Sequence, residues 1–117
     1  MVSRLRYFAG YFGELLVSIC LKLKLYNIIK RRFRCKLGEI DLIVSKKKEL
    51  IFIEAKTSLY GKEVPISHFQ CQSIINSSKY FLSKNLDLLG YSVRYGLCFL
   101  SLRRRPICIK NAWIEEW

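Results

Sequence analysis

The sequence has very little histidine, and its cysteines do not cluster. His68 is the only histidine among 117 residues, so no catalytic triad built on histidine is proposed. The five cysteines are odd in number and form no C-x-x-C pair or Cys/His cluster, which argues against a zinc site. We expect free, mostly buried thiols and a reducing cytoplasmic location. The cysteines are Cys20, Cys35, Cys71, Cys98 and Cys108.

Acidic residues are also scarce. Nine Asp and Glu oppose 21 Lys and Arg, which leaves a formal net charge of +12. A positive field of this size predicts a polyanionic partner, and nucleic acid fits best because neutralising phosphates releases counterions. An anionic membrane surface or simple solubility would also account for the charge. Hydrophobic residues make up 51% of the chain, enough to bury one core, so we predict a single domain over residues 1–117.

No hydrophobic run predicts a stable membrane insertion. The apolar stretch at residues 7–21 resembles a signal peptide, but Glu14 lies in its middle and no clean small-residue cleavage site follows. Its apolar positions recur at helical spacing, which predicts a helix beginning at Ser3. The opposite side, which includes Leu21, is also mostly apolar, so this helix should be wedged between other elements. The predicted apolar stripe is Leu5, Phe8, Phe12, Leu15, Leu16, Ile19 and Leu23.

Two segments concentrate positive charge. Residues 30–36 hold five basic residues in seven, with Phe33 among them, and predict an exposed strand or loop that contacts phosphates. The alternative is a solvated edge strand whose charges prevent aggregation. A second basic run before Pro106 predicts a turn. The candidate nucleic-acid-binding residues are Lys30, Arg31, Arg32, Arg34, Lys36, Arg103, Arg104 and Arg105.

Residues 39–44 alternate between acidic and apolar side chains, which predicts a strand. The alternation places Ile40 on the same face as Leu42. Glu39 and Asp41 then lie together on the opposite face. We therefore expect a strand that carries acids on one side.

An almost continuously apolar run at residues 50–56 is typical of a strand covered on both faces. Two charged residues, Glu54 and Lys56, interrupt it. Because they are two residues apart, they share a face, about 6 to 7 Å from one another. Plain ion pairing of these charges and Asp41 at a strand end is one explanation, and it requires no catalysis.

The two strands predict a hairpin, and the length of its turn leaves two registers open. A turn at residues 47–48 puts Asp41 directly opposite Glu54. A loop at residues 45–48 puts Glu39 opposite Glu54 instead, with Asp41 on the diagonal. Both registers bring the acids to one face.

Carboxylates held this close repel one another unless a cation or a shared proton intervenes. Magnesium, or manganese in its place, would bind Asp41, Glu54 and a backbone carbonyl near Ala55, because these are hard oxygen ligands. Such an ion activates water and neutralises charge on a phosphate. Lys56 would orient or deprotonate the attacking water, or brace the scissile phosphate.

The later elements follow from caps and apolar runs. A loop at residues 61–65 precedes Ser67, which caps a helix predicted to reach about Asn85. A strand is predicted from Tyr91 to Leu102 and a short one at residues 107–110.

Three segments resemble the YraN-like proteins, a bacterial branch of the PD-(D/E)xK nuclease superfamily that is similar to archaeal Holliday-junction resolvases. They are Gly13-Glu14, R-C-K-L-G-E-I-D-L-I at residues 34–43 and I-F-I-E-A-K-T at residues 51–57. The resemblance implies an α/β restriction-endonuclease-like fold with three layers, a central mixed β-sheet flanked by helices. It also implies an endonuclease that acts on DNA, branched DNA included, and a homodimer.

The resemblance also implies roles for four residues. Glu14 matches the helix acid of the resolvases, Asp41 matches the first motif acid, and Glu54 with Lys56 matches the E-x-K pair. These four are the predicted catalytic residues, and Asp41 and Glu54 are the predicted metal ligands. The alternative is a basic nucleic-acid-binding module without catalysis.

The chain departs from the family pattern at three places. Gln70 stands where the family has a lysine, and Gly96 in the segment Arg94-Tyr95-Gly96 stands where it has an aspartate. Arg32 replaces an asparagine. These departures bear on efficiency and substrate handling more than on metal binding.

Overall fold

The structure is a computed structural model that describes the backbone of residues 15, 18–58, 67–101 and 104–113 and the side chains of residues 15, 18–56 and 67–98. The described elements follow one another along the chain. They are helix α1 at residues 18–23, strands β1 (Asn27–Cys35), β2 (Gly38–Lys46) and β3 (Glu49–Ser58), helix α2 (His68–Ser83), a 3₁₀ turn (Leu86–Leu88), and strands β4 (Ser92–Ser101) and β5 (Arg104–Trp113).

The five described strands form one mixed sheet in the order β1-β2-β3-β4-β5. The pair β3–β4 is parallel, and the other three pairs are antiparallel. A parallel pair needs a crossover connection, and α2 lies within the crossover between β3 and β4. The α/β class with a central mixed sheet flanked by helices is thereby confirmed. None of the described helices is long and apolar enough to cross a membrane.

Buried side chains cover both faces of the sheet. On the α2 face, one cluster joins Ile40, Ile43, Leu50, Phe52, Cys71, Ile74, Ile75, Phe81, Leu88, Tyr95 and Leu97. On the α1 face, a second cluster joins Leu21, Leu42, Val44, Ile51, Ile53 and Cys98. Since β3 contributes to both clusters, its run of apolar residues is explained, and the prediction of a strand covered on both sides is confirmed.

The buried side of α1 differs from the predicted stripe. Ser18 and Leu21 are buried, whereas Ile19 is 48% exposed and Leu23 is 79% exposed. The assignment of Ile19 and Leu23 to the buried stripe is therefore wrong. When a helix is apolar nearly all round, periodicity cannot select the side that faces the sheet. The predicted start at Ser3 and most of the stripe lie outside the described residues.

The alternation predicted for β2 fails at Ile40. Leu42 packs on the α1 face, but Ile40 packs with Ile43 on the α2 face. The neighbouring strand β1 is distorted at the same level, because Arg32 has a φ of 51° and Phe33 also packs on the α2 face. A left-handed residue changes the direction of a strand, and sequence alternation does not show it.

The prediction of free thiols holds for only part of the set. Cys20, Cys35 and Cys71 are free, but Cys98 is disulfide-bonded, so its assignment as a free thiol is wrong. In the β4–β5 register, Cys108 lies directly opposite Cys98. Adjacent antiparallel strands bring opposite positions within the separation that a disulfide needs, which spacing along the chain does not reveal.

The connection between β4 and β5 is shorter than predicted. Ser101 pairs with Arg104, the first residue of β5. Arg104 and Arg105 are therefore strand residues, and their assignment to a basic turn is wrong. The strand predicted at residues 107–110 extends over Arg104–Trp113.

Gly38 allows α2 to lie close to the start of β2. Its φ is 148°, and a β-carbon at this position would overlap Ser73 Oγ and lie 3.0 Å from Ser77 Oγ. The hydroxyl of Ser73 donates a hydrogen bond to the Leu37 carbonyl at 3.0 Å. These contacts dock α2 on the strand that carries Asp41, three residues further along.

Candidate functional site

The backbone ladder between β2 and β3 extends to the pair Leu42–Ile53. One residue beyond it, Asp41 Oδ2 accepts a hydrogen bond of 2.8 Å from the backbone N–H of Ala55. A strand N–H that is withdrawn from water needs a hydrogen-bond acceptor. For Ala55, the side-chain carboxylate of Asp41 takes the place of the backbone carbonyl that usually accepts this bond. The charge-assisted bond holds Asp41 against β3 at the residue that separates the predicted acid and lysine.

The turn between β2 and β3 decides between the two registers. It consists of Lys47 and Lys48 alone, with φ values of 50° and 66°, the pattern of a type I′ turn. Continued by one position beyond the paired residues, this register places Asp41 opposite Glu54. The prediction of a turn at residues 47–48 is confirmed, and the alternative with Glu39 opposite Glu54 is wrong.

Glu54 and Lys56 lie on the α2 face of β3. Phe52 packs beneath α2, and Ile53 packs on the opposite face, so the strand alternates regularly up to Glu54. The side chains of Glu54 and Lys56 are each half-buried, as is that of Asp41. The predicted shared face of Glu54 and Lys56 is confirmed by this alternation.

A thiol that sequence reasoning did not connect with the site lies close to this pair. Cys71 is in the first turn of α2 and fully buried. Burial raises the pKa of the Cys71 thiol, the negative charge of Glu54 raises this pKa further, and the positive charge of Lys56 acts in the opposite direction. The capping residue Ser67 was the signal in the sequence for where α2 begins, but no signal along the chain placed that start beside Glu54.

The N-terminus of α2 closes with a complete capping box. The Ser67 hydroxyl accepts from the Gln70 N–H at 3.1 Å, and the Gln70 side-chain oxygen accepts from the Ser67 N–H at 3.1 Å. This confirms the predicted cap. It also explains one departure from the family pattern, because the Gln70 side chain binds the backbone at the helix start.

The second departure lies on the neighbouring strand. Gly96 pairs in parallel with Ile53, the residue before Glu54. An aspartate at this position would lie one strand away from the predicted acid. Tyr95, which precedes it, is buried and shares a hydrogen bond of 2.8 Å with the Ser78 hydroxyl, so this strand contributes packing here.

The basic strand β1 runs along the edge of the sheet next to Asp41. Arg31 lies opposite Leu42, and the next position of the same register brings Arg32 opposite Asp41. Arg32 has a left-handed backbone with a φ of 51°, a conformation that asparagine adopts far more readily. The left-handed backbone is a structural reason for the asparagine that the family resemblance implies at this position.

The other basic residues of this segment lie on the open side of the edge strand. Lys30, Arg31, Arg34 and Lys36 are exposed. Arg34 Nε forms an ion pair of 2.8 Å with Glu39 Oε1, and both side chains are more than half exposed. The segment therefore meets both descriptions given by the sequence, an exposed basic strand and a solvated edge strand.

Several predicted site residues cannot be placed relative to this geometry. Glu14 and Arg103 lie outside the described residues, and only the backbone of Arg104 and Arg105 is described. Within the described part of the chain, no group of three or more His, Cys, Asp and Glu side chains is arranged to hold a metal ion. Asp41 and Glu54 supply carboxylate oxygen atoms, which are hard ligands that suit a magnesium or manganese ion.

Comparison with known proteins identifies relatives over most of the chain. Residues 13–103 match the family described as Uncharacterised protein family UPF0102. A UPF0102 protein of Ehrlichia ruminantium (strain Gardel) is 51% identical over 106 residues, covering 91% of this chain and 84% of the relative. A UPF0102 protein of Clostridium acetobutylicum is 33% identical over 119 residues, covering 98% of this chain and 97% of the relative.

Solved structures also match, and we report one of them. It is Pyrococcus furiosus SfsA in complex with Ca²⁺, with a TM-score of 0.36 and 17% identity, covering 93% of this chain and 64% of SfsA. A likeness at this level informs neither activity nor ligand.

Proposed function

The chain belongs to the UPF0102 family of uncharacterised proteins, and from that premise and the geometry of the sheet we propose that it binds nucleic acid and hydrolyses phosphodiester bonds in DNA with a divalent metal ion. Branched DNA is included among the substrates by the resemblance to resolvases. The observation that carries the proposal is the hydrogen bond of 2.8 Å that fixes the Asp41 carboxylate to the Ala55 amide, between Glu54 and Lys56.

Ion pairing among Asp41, Glu54 and Lys56 does not by itself account for the hydrogen bond between Asp41 and the Ala55 N–H. An exposed ion pair at a strand end requires no break in the ladder and contributes only about 0 to 1 kcal/mol. Here the backbone pairs of β2 and β3 stop after Leu42–Ile53, and a carboxylate replaces the next acceptor. The register continued by one position sets Asp41 opposite Glu54, and a bound cation would relieve the repulsion between the two carboxylates.

Asp41 and Glu54 are the residues that would hold magnesium or manganese. When bound, the ion supplies charge neutralisation on the phosphate and an acidified water. The chain's own contribution is to orient the ligands, since the Ala55 N–H occupies Asp41 Oδ2 and restricts the directions in which the carboxylate can bind.

Lys56 shares the face of Glu54 and is half-buried. Its ammonium group would donate hydrogen bonds to the attacking water or to a phosphate oxygen in the transition state. The basic edge strand β1 would bind the phosphates on either side, because Arg31 and Lys30 are exposed at positions that pair with Leu42 and Ile43, next to Asp41.

The test is hydrolysis of labelled single-stranded, duplex and junction DNA with magnesium or manganese. Asp41→Asn and Glu54→Gln should each lower the rate by at least about 100-fold, the size of effect seen when one group that stabilises transition-state charge is lost. Glu39→Gln is the matched control, because Glu39 forms its ion pair with Arg34 and lies outside the Asp41–Glu54 pair. Unchanged rates in both test variants would exclude this site.

A second candidate function is nucleic-acid binding without catalysis. It is favoured by the exposed basic residues of β1, which can bind phosphates whatever happens at Asp41 and Glu54. Binding would then be the same in a chelator as in magnesium and would weaken steeply with salt. Wild-type protein that binds DNA but cleaves none of the three substrates would select this candidate.

A further inference from the structure

The turn between β2 and β3 has a sequence that its backbone does not favour. Lys47 and Lys48 have φ values of 50° and 66°. Type I′ turns strongly prefer Asn-Gly, because both central residues are left-handed and side chains with a β-carbon are strained there. Two lysines at these positions therefore oppose the local backbone preference. Strain of this kind is retained where the residue serves a function.

Two lysines of this turn region lie over aromatic rings. Lys46 Nζ is 4.9 Å from the centre of the Tyr26 ring, and Lys48 Nζ is 5.2 Å from the centre of the Tyr91 ring. Cation–π contacts restrict the rotamers of the lysines while leaving the ammonium groups charged. Less conformational entropy is then lost when an anion binds.

Backbone contacts hold this arrangement together. Lys46 Nζ donates a hydrogen bond of 2.8 Å to the Lys24 carbonyl, and the Lys48 carbonyl accepts one of 2.9 Å from the Ser92 N–H. The turn is thereby tied to the segment after α1 and to the start of β4. We call Lys46, Lys47, Lys48, Tyr26 and Tyr91 the turn platform.

One acidic residue, Glu49, lies beside the platform, which itself contains three lysines. Glu49 lies within 3.9 Å of Arg94 Nε and lines a shallow pocket of about 250 Å³ together with Tyr26, Lys46 and Lys47. Lys22 and Lys24 are exposed on the neighbouring segment. The platform thus presents positive charge with aromatic rings beside it, the combination that suits phosphates and bases of nucleic acid.

The platform is separated from the candidate metal centre by the length of β3. Glu54 is five residues along the strand from Glu49, about 17 Å at 3.3 Å per residue. A duplex that rises about 3.4 Å per base pair covers this distance in about five pairs.

We propose that the turn platform is a second binding surface for nucleic acid phosphates, independent of β1 and of the metal centre. The inference rests on the proposed function, since it takes nucleic acid as the partner. Its role is to bind the substrate away from the cleaved bond, without reading sequence, because lysine recognises phosphate as a point charge.

The test compares two double variants that each remove two positive charges. Lys47→Asn/Lys48→Gly deletes the turn charges and introduces the residues that a type I′ turn favours, so the fold should be at least as stable. Lys79→Gln/Lys84→Gln, on and just after α2, is the matched control. Affinity for a labelled duplex of about 24 base pairs is measured by fluorescence anisotropy in a chelator, between about 50 and 200 mM salt.

We expect the turn variant to reduce the slope of log affinity against log salt by about 1.8, or about 0.9 for each phosphate that the protein no longer neutralises. Near 0.1 M salt this corresponds to an affinity that is roughly 10- to 60-fold weaker. The control should change neither quantity, and the melting temperature of the turn variant should not fall.

Three results would overturn the inference. The first is a turn variant that binds DNA as the wild type does, and the second is a control whose affinity falls by as much, which would indicate net charge alone. The third is weaker binding to phosphatidylserine vesicles with DNA binding intact, which would assign the platform to lipid. If the wild type itself does not bind DNA, the proposed function fails as well, so the two failures are distinguishable.

Discussion

Replacement of Gly38 by alanine should destabilise the protein by about 2 to 6 kcal/mol. Two effects combine. The φ of 148° is a conformation that residues with a β-carbon rarely adopt, which costs about 1 to 3 kcal/mol. The new β-carbon would also overlap Ser73 Oγ and lie 3.0 Å from Ser77 Oγ, and overpacking of this kind costs about 1 to 3 kcal/mol.

A double-mutant cycle separates the two effects. Ser73→Ala alone should cost about 1 kcal/mol, because it removes the hydrogen bond to the Leu37 carbonyl. In Gly38→Ala/Ser73→Ala the overlapping oxygen is gone, so the backbone strain and the milder contact of 3.0 Å with Ser77 Oγ persist. The double variant should therefore be about 1 to 2 kcal/mol more stable than the sum of the single variants predicts.

Urea denaturation followed by circular dichroism measures all four proteins. The reasoning is refuted if Gly38→Ala costs less than about 1 kcal/mol, since strain and overlap would then both be absent. Strict additivity in the cycle would refute the close contact between Gly38 and Ser73 alone.

Three further predictions concern the site. Asp41→Asn should abolish the heat of magnesium or manganese binding in calorimetry while leaving the fold intact, because an amide oxygen can still accept from the Ala55 N–H; retained metal binding would place the ion elsewhere. Arg32→Asn should relieve the backbone strain at the left-handed φ of 51°, since asparagine tolerates this conformation, and it should lower the salt slope for DNA binding by about 1; an unchanged salt slope would contradict this. Because the pKa of Cys71 is raised, less thiolate is present at a given pH, and iodoacetamide should alkylate this buried thiol more slowly than an ordinary one. Glu54→Gln should lower the pKa and accelerate the alkylation, which peptide mass spectrometry measures. An unchanged alkylation rate in Glu54→Gln would indicate that the carboxylate is remote from the thiol.

The hairpin shows how far local sequence determines geometry. The apolar runs on either side of Lys47-Lys48 predict two antiparallel strands, but they allow two registers. The choice depends on whether two lysines adopt left-handed conformations, which their identity does not favour. The two registers differ by two residues and leave every side chain on the same face of the sheet, so the hydrophobic pattern does not choose between them, and the observed pairing of Lys46 with Glu49 does.

Other site features depend on contacts between distant segments. The neighbourhood of Cys71 and Glu54 arises because α2 starts beside the end of β3, and no spacing along the chain contains that information. The buried side of α1 was mispredicted for the same reason. Several sides of α1 are apolar, and its packing against the sheet buries Ser18 and Leu21.

The sequence alone determined the strands that carry Asp41 and Glu54, the shared face of Glu54 and Lys56, and the cap at Ser67, because a period of two residues and capping chemistry are local properties. The α/β class was implied by the resemblance to a known family. Only the tertiary structure decided how the strands pair and where they separate. The Asp41 hydrogen bond to Ala55 and the turn platform both arise from that pairing, since each joins residues whose proximity depends on the packing of the whole sheet.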